Sequence, residues 1–493
     1  MAAIAVATVV PTAAFARPKI PVLQQVTHST MGNIENVGMR LEDGSGISFV
    51  SNSDVFGPGS EPGQFEVFYY KTDTGELIQV TNTPGGESYE ASRPSDRLRQ
   101  ADRPSMVTFV SDGDFDAGRD NSDGNIEIFA WETDTGVFRQ LTDTQAPTIN
   151  IHPFVSDSAK CIVFSSTANF ANNDGNEFGN PGRNHSNPDG SLEVFQYSLH
   201  DRGMYPYNGI MSQISNGPAG SISASPVAGG YWFPRQCQST AYISNYAQLG
   251  DGSVGDHIYL YTRFSGKLER MESTAKLPRG IPDGDYLFPH ISGASPFARG
   301  PYVVFTTDAD MLANDSVGLN LYRYRVFHPQ VNQLTDVVDG NVLHPQISDG
   351  GGRVVFQSTA EHFVKLAKNT DLTLPVNGDH NNEIFLLRGR RRLKQITVSS
   401  GCENRRPTLQ DDATAFAFTS DCDLIPGNNP TGAVQLFHYK QVKKKDPILL
   451  PGACKVEDGC CSQDNGCLVI PKGPQKRHNQ RNCIDKNQKA CLN

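Results

Sequence analysis

His344-Pro345-Gln346-Ile347-Ser348-Asp349-Gly350 is followed by Val354-Val355-Phe356, then past a polar loop by Ile384-Phe385-Leu386, and then by Gln395-Ile396-Thr397. Each is a short alternating or β-branched run bounded by Gly, Asn or Asp, so the stretch reads as four strands joined by turns. The aromatic-ended second run recurs as Ile47-Ser48-Phe49, Val107-Thr108-Phe109, Ile162-Val163-Phe164, Thr240-Ala241-Tyr242, Val303-Val304-Phe305 and Phe416-Ala417-Phe418, seven copies in all. A third run follows each, from Val67-Phe68-Tyr69 to Leu436-Phe437, and most then reach a Gln-apolar-Thr/Ser triplet such as Gln79-Val80-Thr81 or Gln140-Leu141-Thr142. Repeats of this length with four strands each stack as blades, so the fold expected is an all-β, seven-bladed β-propeller of four-stranded blades with a short cysteine-rich C-terminal tail. The blades should begin near residues 35, 88, 148, 220, 284, 340 and 404.

Ring closure is legible too. Pro447-Ile448-Leu449-Leu450 lacks the triplet, whereas Gln25-Val26-Thr27 supplies one ahead of the first complete unit. Residues 21–28 are therefore expected to form the outer strand of the seventh blade. The propeller is expected over residues 21–450, after a probable signal peptide at 1–16 and before a disulfide-stapled tail at 451–493.

Composition fits. Only 37% of the 493 residues are hydrophobic, with 46 Gly and 31 Pro for the many turns. A formal net charge of −10 repels a nucleic-acid backbone, so no nucleic-acid partner is expected. Residues 1–16 are apolar and Ala-rich and end in Ala14-Phe15-Ala16, a small-x-small pattern of export signals that lacks only the usual early Lys or Arg. No later run of 18 apolar residues occurs, so no helical transmembrane segment is expected. Six of the ten cysteines (Cys454, Cys460, Cys461, Cys467, Cys483, Cys491) crowd the tail, pointing to disulfides in a secreted or periplasmic protein. Zinc is the rival reading, and the pairing stays open among 15 connectivities. Cys402 and Cys422 stand ten residues either side of Asp412, at the apparent turn of a strand pair, so hairpin register sets them opposite each other for a disulfide. Cys161 and Cys237 read as buried thiols.

The Glu/Asn-Ile/Val-Phe/Tyr strand, the Gln-Leu-Thr triplet and the Pro-x-x-Ser-Asp-Gly hairpin resemble TolB-type propeller repeats of secreted bacterial proteins, over about residues 21–450. That resemblance implies the fold and a choice of roles: periplasmic protein binding, envelope scaffolding, an appendage of peptidases, or a polysaccharide lyase. TolB's own N-terminal partner-binding domain has no counterpart here, and neither does a hydrolase domain.

The residue before the repeat's Pro should lie innermost, near the channel. It reads Arg93, His152, Ser225, Phe288, His344 and Arg406, with Val37 where Gly replaces Pro. Arg93, His152, His344 and Arg406 make a cradle for an anionic group, or hydrogen-bond carbonyls between blades. His290 follows its Pro; together with His152 and His344 it is an alternative metal set, after the histidine-rich metal site of the TolB-like lyases. Asp112, Asp114, Asp116, Asp120 and Asp123 offer hard oxygen ligands for calcium, although the spacing is not that of an EF-hand and Asp/Asn/Gly loops also form turns unaided. Two basic stretches, Arg388 to Lys394 and Lys443 to Lys445, read as solvated hairpin tips or as a grip on an anionic polymer. Conventional catalytic motifs are missing. The expectation is a monomeric, non-enzymatic binding or scaffold protein recognising a protein or anionic glycan, with no cofactor assigned and calcium left open as a candidate; the alternative is a metal-dependent lyase of acidic polysaccharide.

Overall fold

In the computed structural model the described residues are 19–53, 63–96, 105–159, 161–170, 186–198, 210–229, 239–250, 255–262, 266–274, 277, 284–292, 301–313, 315, 317–363, 377–389, 392–443, 482–484 and 490–492. Seven four-stranded antiparallel sheets form seven blades, and their inner strands begin at residues 34, 88, 150, 223, 286, 342 and 404. Six blades run through four consecutive strands. The third, for example, orders Asn150–Val155, Cys161–Ser166, Glu193–Ser198 and Ile210–Gln213 from inside outward. The seventh orders Asn404–Leu409, Ala415–Ser420 and Gln435–Lys443 and takes Lys19–Gln25 as its outer strand. Closure by the N-terminal segment is thus observed, with the strand beginning two residues earlier than expected.

Two compact units are distinguished, residues 24–438 and residues 1–23 with 439–493. In the second unit the described part of the tail is a strand pair, Asn482–Ile484 with Ala490–Leu492, which sets Cys483 opposite Cys491. The signal-like segment 1–16, the other tail cysteines, Cys237, Arg390, Arg391, Lys444 and Lys445 lie outside the described residues.

Each blade of residues 24–438 is pinned at its centre by one aromatic pair. The aromatic that ends the second-strand motif faces an aromatic of the third strand across the ladder: Phe49–Phe68, Phe109–Phe129, Phe164–Phe195, Tyr242–Tyr259, Phe305–Tyr322, Phe356–Phe385 and Phe418–Phe437. The rings are stacked with centroids 5.5 to 5.9 Å apart. All fourteen rings are fully buried. Directly opposed aromatics fix register because a slip of one residue would send every ring to the other face. Such a pair adds about 0.5–1.5 kcal/mol beyond the area it buries.

The triplet has a different task. Its Thr or Ser hydroxyl accepts the N–H of the second residue of the third strand: Val67 from Thr81, Ile128 from Thr142, Val194 from Ser215, Leu321 from Thr335, Ile384 from Thr397 and Leu436 from Thr27, at 2.7–2.9 Å. The residue before it is a buried acceptor that gathers what remains. Glu66, for instance, accepts the hydroxyl of Thr81 at 2.5 Å and both N–H and hydroxyl of Thr83 at 2.6 and 2.7 Å. Burial lifts the carboxyl of the equivalent Glu383 above its usual range, against the pull of Thr397 and Ser399. The fourth blade departs: His257 meets Glu272 of a one-turn helix, Met271–Thr274, at 2.8 Å. At the closing blade the clip is made by the N-terminal segment itself, since Thr27 Oγ1 donates to Gln435 at 2.8 Å and Val26 N–H reaches Leu436 O at 2.8 Å.

Cys402 and Cys422 are disulfide-bonded, Cα atoms 5.2 Å apart, in the register set by Asn404 opposite Ser420. Cys161 also sits in a disulfide rather than as a thiol, and its partner lies beyond the residues whose side chains are described.

The Cys402–Cys422 bond encloses 20 residues in sequence separation, for which chain entropy gives about 3 kcal/mol. Replacing both by Ser should lower the unfolding midpoint and speed amide exchange first at Leu436, the blade closed by Thr27. First exchange in the third to fifth blades would contradict this.

Candidate functional site

Every inner strand carries the same irregularity. Its third residue is left-handed without being glycine: Asn36, Glu90, His152, Ser225, Phe288, His344 and Arg406, with φ between 48 and 55°. In six blades the ladder register shifts at this residue, as between Ile151 and Phe154. A left-handed non-glycine residue costs on the order of 1–3 kcal/mol. The shift also explains the Pro that follows in five blades, since an edge strand at a bulge has no ladder bond for Pro to break.

The ring of left-handed residues differs from the expected set at two blades. In the second, Ser88 and Tyr89 pair with Ser111 and Val110, which makes Glu90 the ring residue, not Arg93. Arg93 belongs three residues on, in a segment one residue longer than its counterparts: Ser92 N–H bonds Thr108 O and Ser95 N–H bonds Met106 O. In the first blade the ring residue is Asn36, not Val37. The charge of the ring changes accordingly, because an acid replaces a base.

Neighbouring ring residues pair. The backbone N–H of His152 donates to Glu90 Oε2 at 2.5 Å, and His152 Nε2 lies 3.5 Å from Glu90 Oε1. His344 packs on Phe288, ring centroids 4.1 Å apart. Arg406 Nη1 reaches Asn36 Oδ1 at 3.0 Å and Glu35 Oε2 at 3.3 Å. Burial, with the nearby Arg406 charge, lowers the His344 pKa to about 4. Between the seventh and first blades a polar cavity of about 180 Å³ is lined by Arg405 and Arg406 together with Glu35, Glu403 and Asp421.

Below this ring, contacts cross the channel. The Arg93 guanidinium lies over Phe154, 5.3 Å from its centroid; Phe154 meets the edge of His290 from the fifth blade at 6.3 Å; and His290 Nδ1 accepts Ile347 N–H of the sixth at 3.4 Å. Arg93 pairs with buried Asp157. Gly38 of the first blade makes room for the longer segment, because a Cβ there would stand 2.3 Å from Arg93 Cα. Burial, then the charges of Asp157 and Asp349, pushes the Asp96 carboxyl well above the usual range, and burial, then Arg93, holds His290 well below its own. His290 is therefore a neutral residue of the floor, two positions beyond the ring in its strand. The donors of His152, His290 and His344 do not gather: among the described residues the only side chains close enough to share an ion are Asp339–Glu361–His362 and the disulfide cysteines with Asp421.

The acidic loop is likewise not gathered. Asp112 Oδ1 accepts Glu87 N–H at 2.9 Å, Asp116 accepts the N–H groups of Gly118 and Gln140, Asp120 that of Ser122 and Asp123 that of Asn125; Asp114 points to solvent. Asn121 spans the loop, its Nδ2 donating to Gly113 O and Asn125 O. Asn187, Asn377 and Asn429 each reach the carbonyl four residues on in the corresponding loops. These carboxylates close turns, as the side-chain-to-backbone reading expects.

Sequence reasoning missed a surface property. Strand direction places the loops between second and third strands, and those between blades, on one face; the tight hairpins lie on the other. Among the described residues nine large apolar side chains are exposed; eight stand in the first group of loops (Met31, Ile149, Ile222, Tyr246, Leu249, Val317, Val338 and Val398), and Phe327 tips a hairpin.

No family model and no curated protein matches the chain. Solved structures do. An oligogalacturonate lyase from Vibrio parahaemolyticus is similar at 9% identity and TM-score 0.49, over 85% of this chain and 93% of that one. The propeller domain of the Trilobed protease of Pyrococcus furiosus is similar at 10% identity and TM-score 0.47, over 86% and 99%. TolB from Acinetobacter baumannii is similar at 14% identity and TM-score 0.35, over 70% and 62%.

The low His344 pKa has a sign. Folded, the ring stays neutral down to about pH 4, while the unfolded chain takes up a proton near the ordinary 6.5, so stability is lost as pH falls between those values. His344→Phe should narrow the difference in melting temperature between pH 7 and pH 4.5. An unchanged difference would show that the residue titrates normally.

Proposed function

We propose that this protein is a non-enzymatic binding module that recognises a protein partner through the loop face of its propeller. One observation carries this reading: the segregation of exposed apolar side chains to that face. Large apolar groups scattered singly over a surface need no explanation, but eight of the nine among the described residues on one of two faces do. Rigid loops support it. Ile222 and Asn245 exchange hydrogen bonds at 2.8 and 3.1 Å, which holds Ile222 beside Tyr246, and the Gln248 side chain ties the same loop to Ser223 and Ser244. Side chains ordered before binding lose little entropy on association. The disulfides at Cys402–Cys422 and Cys161 favour a site outside the cytoplasm.

A lyase role finds less support, since His152, His290 and His344 are spread over the ring and its floor rather than about one position.

The test is affinity capture of a partner from envelope extract of the source organism by immobilised wild-type protein and two variants. Ile222→Asp with Leu249→Asp should lose the partner, whereas Phe327→Asp, on the hairpin face, should keep it. The reverse pattern, or cleavage of polygalacturonate by the purified protein, would overturn the reading.

A further inference from the structure

Resting on the loop face as the binding surface, we infer that its partner is a basic polypeptide segment with apolar side chains among its Lys and Arg residues. The inference comes from charge. In the loops of that face, twenty of the described side chains are Asp or Glu and one, Arg119, is Lys or Arg. Many of these carboxylates are held by backbone N–H groups rather than by cations. Asp308 Oδ1 accepts Asp285 N–H at 2.8 Å, Asp339 Oδ1 accepts Glu361 and His362 N–H at 3.0 and 3.1 Å, and Asp423 accepts those of Gly427, Asn428 and Asn429. Such bonds fix the carboxylates in place and bring no Lys or Arg charge to them; Asp339 Oδ2 also faces His362 Nδ1 at 3.2 Å.

The other described arginines and lysines lie outside these loops. Lys71, Arg139, Lys267, Arg325, Arg388, Arg392 and Lys394 are on the two outer strands of their blades. Among the described residues the charge is therefore segregated, acid in these loops and base on the outer strands, and an acidic face draws in basic partners and repels acidic polymers. An anionic glycan does not suit this surface.

Apolar and acidic features meet in the third to fifth blades. Ile149, Ile222, Tyr246 and Leu249 stand exposed there, and Asp143, Asp256 and Asp285 are exposed in the same loops or the ones beside them. Aromatic and aliphatic side chains supply anchors, and the surrounding charges supply attraction and orientation. A partner made only of apolar side chains would leave the carboxylates desolvated without a counterion. A metal ion would need several donors near one point, and among the described loop residues only Asp339, Glu361 and His362, and Asp421 beside the disulfide of Cys402 and Cys422, come that close.

The experiment uses the full chain and two labelled synthetic peptides of equal length, both carrying Leu and Phe at intervals. One has Lys and Arg at the remaining positions and the other has Glu. Fluorescence anisotropy should show binding of the basic peptide, falling as NaCl rises from 50 to about 300 mM, the range in which surface charges are progressively screened. Asp143→Lys, Asp256→Lys and Asp285→Lys together should weaken it by roughly tenfold or more, with the Asn triple variant in between and melting curves matched to wild type. Ile222→Asp with Leu249→Asp should weaken it as well, despite adding negative charge. Equal binding of the acidic peptide or of polygalacturonate, or indifference to charge reversal, would overturn the inference. Capture of the extract partner that needs Ile222 and Leu249 but ignores the three aspartates would overturn it and leave the loop-face reading intact. Loss of capture on Phe327→Asp would remove the loop-face reading itself.

Discussion

One stacked aromatic pair at the centre of each blade sets the register on which the rest depends. Phe164 opposite Phe195 fixes the second strand against the third, and its counterparts do the same in the other six blades. With that register settled, the hydroxyl of the Gln-apolar-Thr triplet finds the N–H beside the buried Glu, and the outer strand is clipped at the same height in six blades. The inner strand, paired to the second, then bulges at its third residue all round the ring. Loop positions follow from these heights, so the face that carries the exposed apolar and acidic residues is a consequence of seven ring pairs far below it. Closure obeys the same rule. Thr27 is the seventh blade's triplet residue, delivered from the other end of the chain, and its hydroxyl does for Leu436 what Thr81 does for Val67.

Much of this was legible in the sequence because it is local and repeated. A Phe or Tyr ending an alternating run, a triplet with a hydroxyl at its end, and two cysteines symmetric about Asp412 are short patterns whose geometry follows from period-two alternation. The ring was harder to read. Pro marked it in five blades, but in the second blade Pro94 belongs to a segment with one extra residue. Aligning on Pro therefore put Arg93 where Glu90 stands. Gly38 was a usable signal: a residue without a side chain opposite the longer segment is what close approach of the Arg93 backbone requires. The first-blade error, Val37 for Asn36, came from treating that Gly as the missing Pro.

Other features depend on three dimensions and leave little trace in the linear chain. Whether five aspartates surround an ion or bond to backbone depends on where their oxygens point; four of them accept backbone N–H groups, and Asn121 spans the loop that carries them. The acidic character of one face was hidden because its described carboxylates are spread over eleven loops and offset in the total by lysines and arginines such as those on the outer strands. Only strand direction sorts them.

Beneath this face Phe154 of the third blade meets His290 of the fifth, ring centroids 6.3 Å apart, and the surface offered to a large partner lies in the loops above. The most direct measurement is amide-exchange footprinting of the protein with its bound basic peptide. Protection should appear in the loops around Ile222, Tyr246 and Leu249 and be absent from the hairpin that carries Phe327. Protection confined to the hairpins, or to the inner strands around His344 and Arg406, would contradict the account.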